Sequence, residues 1–452
     1  MPAPRPSAAR PAPRGLRGRL ARATRTAPGR LRLAGAVLAV LTVAFGGLTA
    51  WQLETRAQAA ERVVSYSQPL SQAAADIHRS LADADTTAAT GFLLAGAEPK
   101  GVRDRYEQDL AKAAKLIADA AARTTATSPA QGSLTRLNQQ LPVYSGLVES
   151  ARADNRQGIP LGGAYLRYAS EQMQTVLLPA AAELSATENG ELANDYAAAK
   201  SVPWAAYGLA VITLGALLWV QLTLFRRTNR VFNPGLLGAT AAVLAGGLWL
   251  TVTGLTASAA LKQSDREGAT PLRALNTARV DVLTARLAEN LNFVARGSTS
   301  KYADQWTKAT DHLSGDVPKD APADRRAGSL PEALRLAPPQ ARQALDDART
   351  QYGVWYDRHG AARKLEIDDA DYQRALDATV TATDSPTTAD SAFNATDQAL
   401  AQAAVVEQQR FQAAAKDVDT DLRTAAAAAA VLGLVAAAAA LRGLGRRLAE
   451  YR

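Results

Sequence analysis

The stretch LLWVQLTLFRRTNRVFNPGLLGATAAVLAGG, Leu217–Gly247, sets three arginines between two long apolar runs. A water-soluble domain has no use for that arrangement, but a bilayer does. About 20 apolar residues cross the hydrocarbon core as a helix. Arg226, Arg227 and Arg230 then mark a short turn at one membrane face.

Working outward, the two runs extend over 201–225 and 236–261, and two further runs lie at 33–51 and 424–441. The last, TAAAAAAVLGLVAAAAAL, is weaker because alanine contributes little to insertion, and an exposed alanine-rich helix is its rival reading. Against that rival, Arg423 and Arg442 bracket 18 uncharged residues. Charge orients the spans. Residues 1–32 hold nine arginines and no acid, and the end 442–452 holds four arginines and Glu450. With the 226–235 turn these pieces carry all the excess of the net +8. Basic segments stay in the cytoplasm, so four crossings place 1–32, 226–235 and 442–452 inside. The mildly acidic segments 52–200 and 262–423 then lie outside. The expected location is a multi-pass protein of the cell membrane with both termini cytoplasmic. An A-x-A pattern at Ala57–Ala59 offers signal-peptide cleavage as an alternative for the first span. Either outcome leaves 52–200 outside.

Both outer segments read as helical bundles. Ile77, Leu81, Ala84, Ala88, Phe92 and Ala95 step by four and three, as do Tyr106, Leu110, Ala113, Ile117 and Ala120. Leu134, Leu137, Leu141, Tyr144, Val148 and Ala151 form a third seam, with Pro142 expected to kink it. A fourth helix runs from about Gly162 to Lys200. Such spacing puts apolar residues on one face, which bundle packing buries. The halves also resemble each other: QPLSQA (68–73) with TPLRAL (270–275), FLLAG (92–96) with FVARG (293–297), YEQDLAKA (106–113) with YADQWTKA (302–309), and AAAK at 197–200 and 413–416. Four matches in one order predict a duplication. The proline-rich piece 315–340 reads as a loop with a short helix near Pro331–Leu336, and KLEIDDADY (364–372) as a helix extension or cap. The expected fold class is therefore all-α, an integral membrane protein with four transmembrane helices and two tandem extracytoplasmic four-helix bundles.

Chemistry-bearing motifs are missing. The sequence has no G-x-S-x-G, H-E-x-x-H or Walker loop, and no cysteine for a disulfide or thiolate site. His78, His312 and His359 are scattered and read as solvated surface residues rather than metal ligands. Asp368, Asp369 and Asp371 read as a solvated face. Outward arginines such as Arg79 or Arg286 offer a clamp for a ligand carboxylate. No enzyme activity, cofactor, metal or nucleic-acid partner is expected, and the ligand-binding residues are not identifiable. Charge inside the spans would point to transport, and the spans carry none.

The order span, helical bundle, span resembles the four-helix sensor domains of bacterial chemoreceptors and sensor kinases. The inner segments depart from them, since they are too short for a kinase, HAMP-like or methyl-accepting module. With four spans, two outer helical domains and an alanine- and arginine-rich composition, the chain resembles the actinobacterial GlnX-type membrane proteins. That resemblance implies a non-enzymatic relay coupling an extracytoplasmic solute-binding lipoprotein, of the glutamine/glutamate type, to a soluble cytoplasmic serine/threonine kinase. Membrane lipid and a second copy of the chain are further expected partners. Arg226, Arg227, Arg230, Arg442, Arg446 and Arg447 are the candidate cytoplasmic contacts, with topology anchoring as their blander role. An accessory subunit of an amino-acid transport system and a structural envelope anchor are the alternatives.

Overall fold

A computed structural model describes residues 27–94, 98–228, 233–296, 298–315, 328–381, 385–415 and 418–449. Among them every regular element is a helix. The chain divides into two compact units, one made of Met1–Ala59, Ala198–Ala259 and Asp417–Arg452, the other of Ala60–Ala197 and Ala260–Lys416.

The first unit holds most of α1 (Ala27–Arg62), with α7 (Trp204–Thr228), most of α8 (Pro234–Ser264) and α15 (Val418–Ala449). The helical runs Gly29–Leu93, Leu161–Arg226, Pro234–Ala295 and Arg423–Arg446 each contain a segment long and apolar enough to cross a membrane. The alanine-rich fourth run reaches a mean hydropathy of 2.1, the same as the first. Its Ala436, Ala440 and Leu444 share an apolar core with Leu38 and Phe45 of α1, Leu217 of α7 and Val243 of α8. Glycine lets two of these helices touch. A Cβ on Gly46 would sit 2.7 Å from the Cα of Gly433, the close backbone approach that membrane helices use when lipid gives them no hydrophobic drive to associate.

The second unit contains two bundles. The first is α2 (Gln68–Leu93), α3 (Lys100–Arg123), α4 (Ala130–Arg156) and the pair α5 (Leu161–Gln172) and α6 (Leu178–Lys200), joined through a π-helical turn at Met173–Leu177. Pro142 sits inside α4 without ending it. The second is α9 (Thr270–Ala295), α10 (Lys301–Ser314), α11 (Ser329–Leu336), α12 (Pro339–Ile367), α13 (Tyr372–Thr379) and α14 (Ala389–Ala415). The insert 316–327 lies outside the described residues. Asp371 caps α13, its carboxylate accepting from the Arg374 N–H at 3.0 Å.

Corresponding elements recur 202 residues apart. A π-helical turn at Val63–Ser67 leads into α2, and one at Asp265–Ala269 leads into α9. Both following helices have 26 residues and a proline in the first turn. The bundles do not stand apart, because α2 and α9 pack on each other. Residues 80–91 and 285–293 are buried on every side, where the sequence suggested a single apolar stripe. Leu287, Leu291 and Tyr302 of the second half enter the first core, and Ala82 of the first half enters the second.

Candidate functional site

The seam between α2 and α9 is closed at one end by small polar side chains. Thr86 Oγ1 donates to the Leu283 carbonyl at 3.2 Å, and Asn290 Nδ2 donates to Thr90 Oγ1 at 2.8 Å. Thr86 also satisfies its own helix through the Ala82 carbonyl at 2.8 Å, so burial leaves neither hydroxyl stranded.

Toward the N-terminal ends of the two helices the seam opens into a cleft of about 300 Å³. Gln68, Gln72 and His78 line it from α2, Asn189 from α6, and Arg273, Asn276 and Asp281 from α9. Several of these side chains are held in place. Ser71 Oγ donates to Asn189 Oδ1 at 2.7 Å, and Gln408 Nε2 donates to Gln72 Oε1 at 2.7 Å. Asp281 Oδ2 meets His312 Nδ1 at 2.8 Å and Ser329 Oγ at 2.5 Å. Burial pushes the His78 imidazole below its ordinary pKa, with Asp281 pulling back.

The same two helices carry an ionic cluster that ties the bundles together. Arg105 Nη2 of α3 lies 2.9 Å from Asp83 of α2 and 3.2 Å from Asp397 of α14. Arg279 of α9 reaches Asp397 at 3.7 Å. Burial, and next the Asp83 carboxylate, push Asp109 up to about 7. In the first core Asp85 is fully buried and accepts from Tyr144 Oη at 3.1 Å and Ser170 Oγ at 2.7 Å. Burial outweighs those bonds and raises its pKa to about 7. Burial likewise raises Glu407 of α14 to about 7, so three carboxyls of this unit change charge near neutral pH, which is where a shifted group has functional meaning.

The expected cytoplasmic arginines fall partly within the described residues. Arg226 is exposed at the end of α7, and Arg442 and Arg446 are exposed on α15. Arg230 and the side chains of Arg227 and Arg447 lie outside the described residues. The ends that carry them meet. Asn233 Nδ2 donates to the Gly443 carbonyl at 2.9 Å, and a Cβ on Gly35 would sit 3.2 Å from Leu444 Cδ1. The first part of α1, Asn233 at the start of α8 and the end of α15 are therefore neighbours in the first unit.

Four expectations about single residues are corrected. His78 is half-buried against the cleft rather than solvated. Arg79 does not reach outward, since its side chain is 16% exposed and lies 3.6 Å from Asp76. Arg286 does not point outward; it is 0% exposed, with Nη1 2.5 Å from Glu289 and Nη2 2.6 Å from Asp390. His359 is not a solvated surface residue. It lies flat against Trp306 with ring centroids 3.6 Å apart, and its Nδ1 is 2.8 Å from Glu289 Oε1. The i, i+3 spacing of Arg286 and Glu289 reads in sequence as a routine surface pair, and only the packing of α12 and α14 encloses it. Among the described residues no group of three His, Asp or Glu is placed to hold a metal ion.

Residues 59–197 match the family model of the actinobacterial sensor domain. That segment contains the first bundle up to Ala197 of α6, and with it the α2 and α6 walls of the cleft. No curated protein and no solved structure matches the chain.

Proposed function

We propose that this chain is a transmembrane sensor relay whose second unit receives a cue outside the cell and passes it to a cytoplasmic protein. The observation that carries the reading is the seam. A region similar to a sensor domain is joined to the second bundle through α2 and α9, with a polar cleft at one end and cross-bundle ion pairs along it. A cue that favours one arrangement of the seam over another shifts the population between them, and couplings of about 1–3 kcal/mol are typical of such devices.

Sidedness follows from the positive-inside rule, which puts the gathered start of α1, start of α8 and end of α15 in the cytoplasm. The finer reading names an amino-acid-loaded solute-binding lipoprotein as the outer partner and a soluble serine/threonine kinase as the inner one, with no catalysis by the chain itself. Arg226, Arg442 and Arg446 support it by being exposed at neighbouring helix ends.

The test is recovery of the intact chain, cross-linked in its own membrane. A binding lipoprotein together with a soluble kinase supports the relay. Permease subunits with an ATPase would instead make the chain an accessory of an amino-acid transporter, and neither set would leave a structural anchor. The absence of cysteine allows a direct second test. Cysteines at positions 72 and 408, whose glutamine side chains meet end to end, can be bridged by a short cleavable thiol cross-linker. Tying α2 to α14 across the bundles should abolish the response to the cue until the link is reduced.

A further inference from the structure

The lining of the seam cleft narrows what it can hold. Among the described residues no Phe, Tyr or Trp lines it, so a sugar ring or a nucleobase has no face to stack on. One arginine is too little for a polyphosphate. Four carboxamides, those of Gln68, Gln72, Asn189 and Asn276, are too polar a wall for a lipid tail. The volume of about 300 Å³ is at the lower end of small-molecule sites. What fits is a small molecule rich in amide groups, with little net charge.

The charged groups set its length. Arg273 and Asp281 both line the cleft and are eight residues apart on α9, a separation of about 12 Å at 1.5 Å per residue. The ammonium and carboxylate of a free amino acid sit on one carbon and cannot engage both. An extended peptide advances about 3.3–3.6 Å per residue, so about three residues cover the distance. A carboxamide carries two N–H donors and an acceptor oxygen, the complement of peptide C=O and N–H groups. In Gln72 and Asn189 the oxygen already accepts from Gln408 and Ser71, so these two meet a ligand mainly as donors. Leu192, Leu272 and Val280 supply apolar wall for short side chains.

We propose that the cleft binds a short extended peptide of about three residues, its carboxylate at Arg273 and its ammonium at Asp281. Asp281 uses Oδ2 for His312 and Ser329, and its Oδ1 is the atom assigned to the ligand ammonium. Arg273 bonds only weakly within its own helix, to the Ala269 carbonyl and Thr270 Oγ1 at 3.3 Å each, and lies 3.6 Å from Asp265. A ligand carboxylate is a stronger partner than either neutral acceptor and competes with Asp265 for the same guanidinium. The assignment deepens the sensor reading and rests on it only for its biological meaning, since a peptide bridging α2, α6 and α9 is a cue the seam can feel.

The experiment is calorimetric titration of the full chain in nanodiscs with trialanine, N-acetyl-trialanine, trialanine amide and free alanine. Trialanine should bind, and either end-block should weaken it about tenfold or more, the worth of one charge-assisted bond. Arg273→Gln should weaken free trialanine by a similar factor and leave the amide unchanged. Asn276→Ala should weaken all peptides together. The proposal is overturned if free alanine binds as tightly as trialanine, if no peptide binds at millimolar concentration, or if Arg273→Gln leaves the carboxylate dependence intact. Peptide binding that follows the expected pattern in a chain that recruits no cytoplasmic partner leaves the ligand class standing and removes the relay.

Discussion

Arg56 Nε of α1 donates to the carbonyl of Ala199, 143 positions away, at 3.1 Å. Within α6 that carbonyl would look to the N–H of residue 203, which is a proline and has none. The helix breaks there, with Ser201–Pro203 non-helical before α7. One turn back along α1, Gln52 Oε1 accepts from the Ala206 N–H at 3.2 Å, in the first turn of α7. Arg56 thus serves the carbonyl that the break exposes, while Gln52 shares the Ala206 N–H with the Pro203 carbonyl, which accepts it at 3.1 Å. Arg56 is only 4% exposed, so water is a poor substitute.

Removing Arg56 should therefore cost stability, and restoring the missing donor should reduce that cost. Arg56→Ala is expected to lose about 1–3 kcal/mol, the penalty for a stranded buried carbonyl. In the Pro203→Ala background the same change should cost clearly less. Thermal unfolding of the four variants in one detergent measures the difference, and strict additivity would refute the pairing.

Gly46 and Gly47 are adjacent and should behave oppositely. Gly46→Leu forces α1 off Gly433, whereas a Cβ at Gly47 meets nothing within 4 Å. The first should lower stability by about 1–3 kcal/mol through overpacking and the second should be near neutral. Melting temperature and yield of folded protein check the contrast.

Glu289 should be the most sensitive polar position of the second bundle. It accepts from Arg286 at 2.5 Å, Trp355 Nε1 at 3.0 Å and His359 Nδ1 at 2.8 Å. Burial works against its charge, but Arg286 and the His359 bond more than reverse it, and its pKa falls. Glu289→Ala leaves the buried guanidinium with Asp390 as its one acid among the described residues and removes the acceptor of Trp355 and His359, and should cost about 3–5 kcal/mol. Trp355→Phe removes one hydrogen bond and should cost about 1 kcal/mol. Denaturant titration followed by near-UV dichroism separates the two.

The raised carboxyls Asp85 and Asp109 predict how stability varies with pH. Each holds its proton up to about 7 in the folded chain but only to about 4 when unfolded. Between those values the folded state binds more protons, so the contribution of these groups to stability falls as pH rises from about 4 to about 7 and is flat above. Melting temperature should therefore drop from pH 6 to pH 8. Asp85→Asn and Asp109→Asn, which stay neutral, should each flatten that slope. An unchanged slope in both would show that other groups set it.

Much of the helical layout was legible because packing repeats at the helical period. Every residue of the Leu134 to Ala151 series is buried, and Pro142, an expected kink, falls inside one unbroken helix. The spans were legible from uncharged length. Arg56 escaped notice because it lies five residues past the apolar run of α1, where an arginine reads as an interfacial anchor. The cleft left no local signal, since its walls come from positions 68–78, 185–192 and 269–281.

By itself the sequence determined the class of element, the number of apolar crossings and which segments carry the excess positive charge. These depend on composition and on a period of three to four residues, both local properties of the chain. Only the tertiary structure decided that α2 and α9 fuse the two bundles, that Arg286 is enclosed rather than outward, and that Arg56 replaces a donor lost to Pro203. Periodicity records that a face is buried but not what buries it. A charged side chain's partner is fixed by the packing of helices distant in sequence, as for Arg286 and Asp390, 104 positions apart.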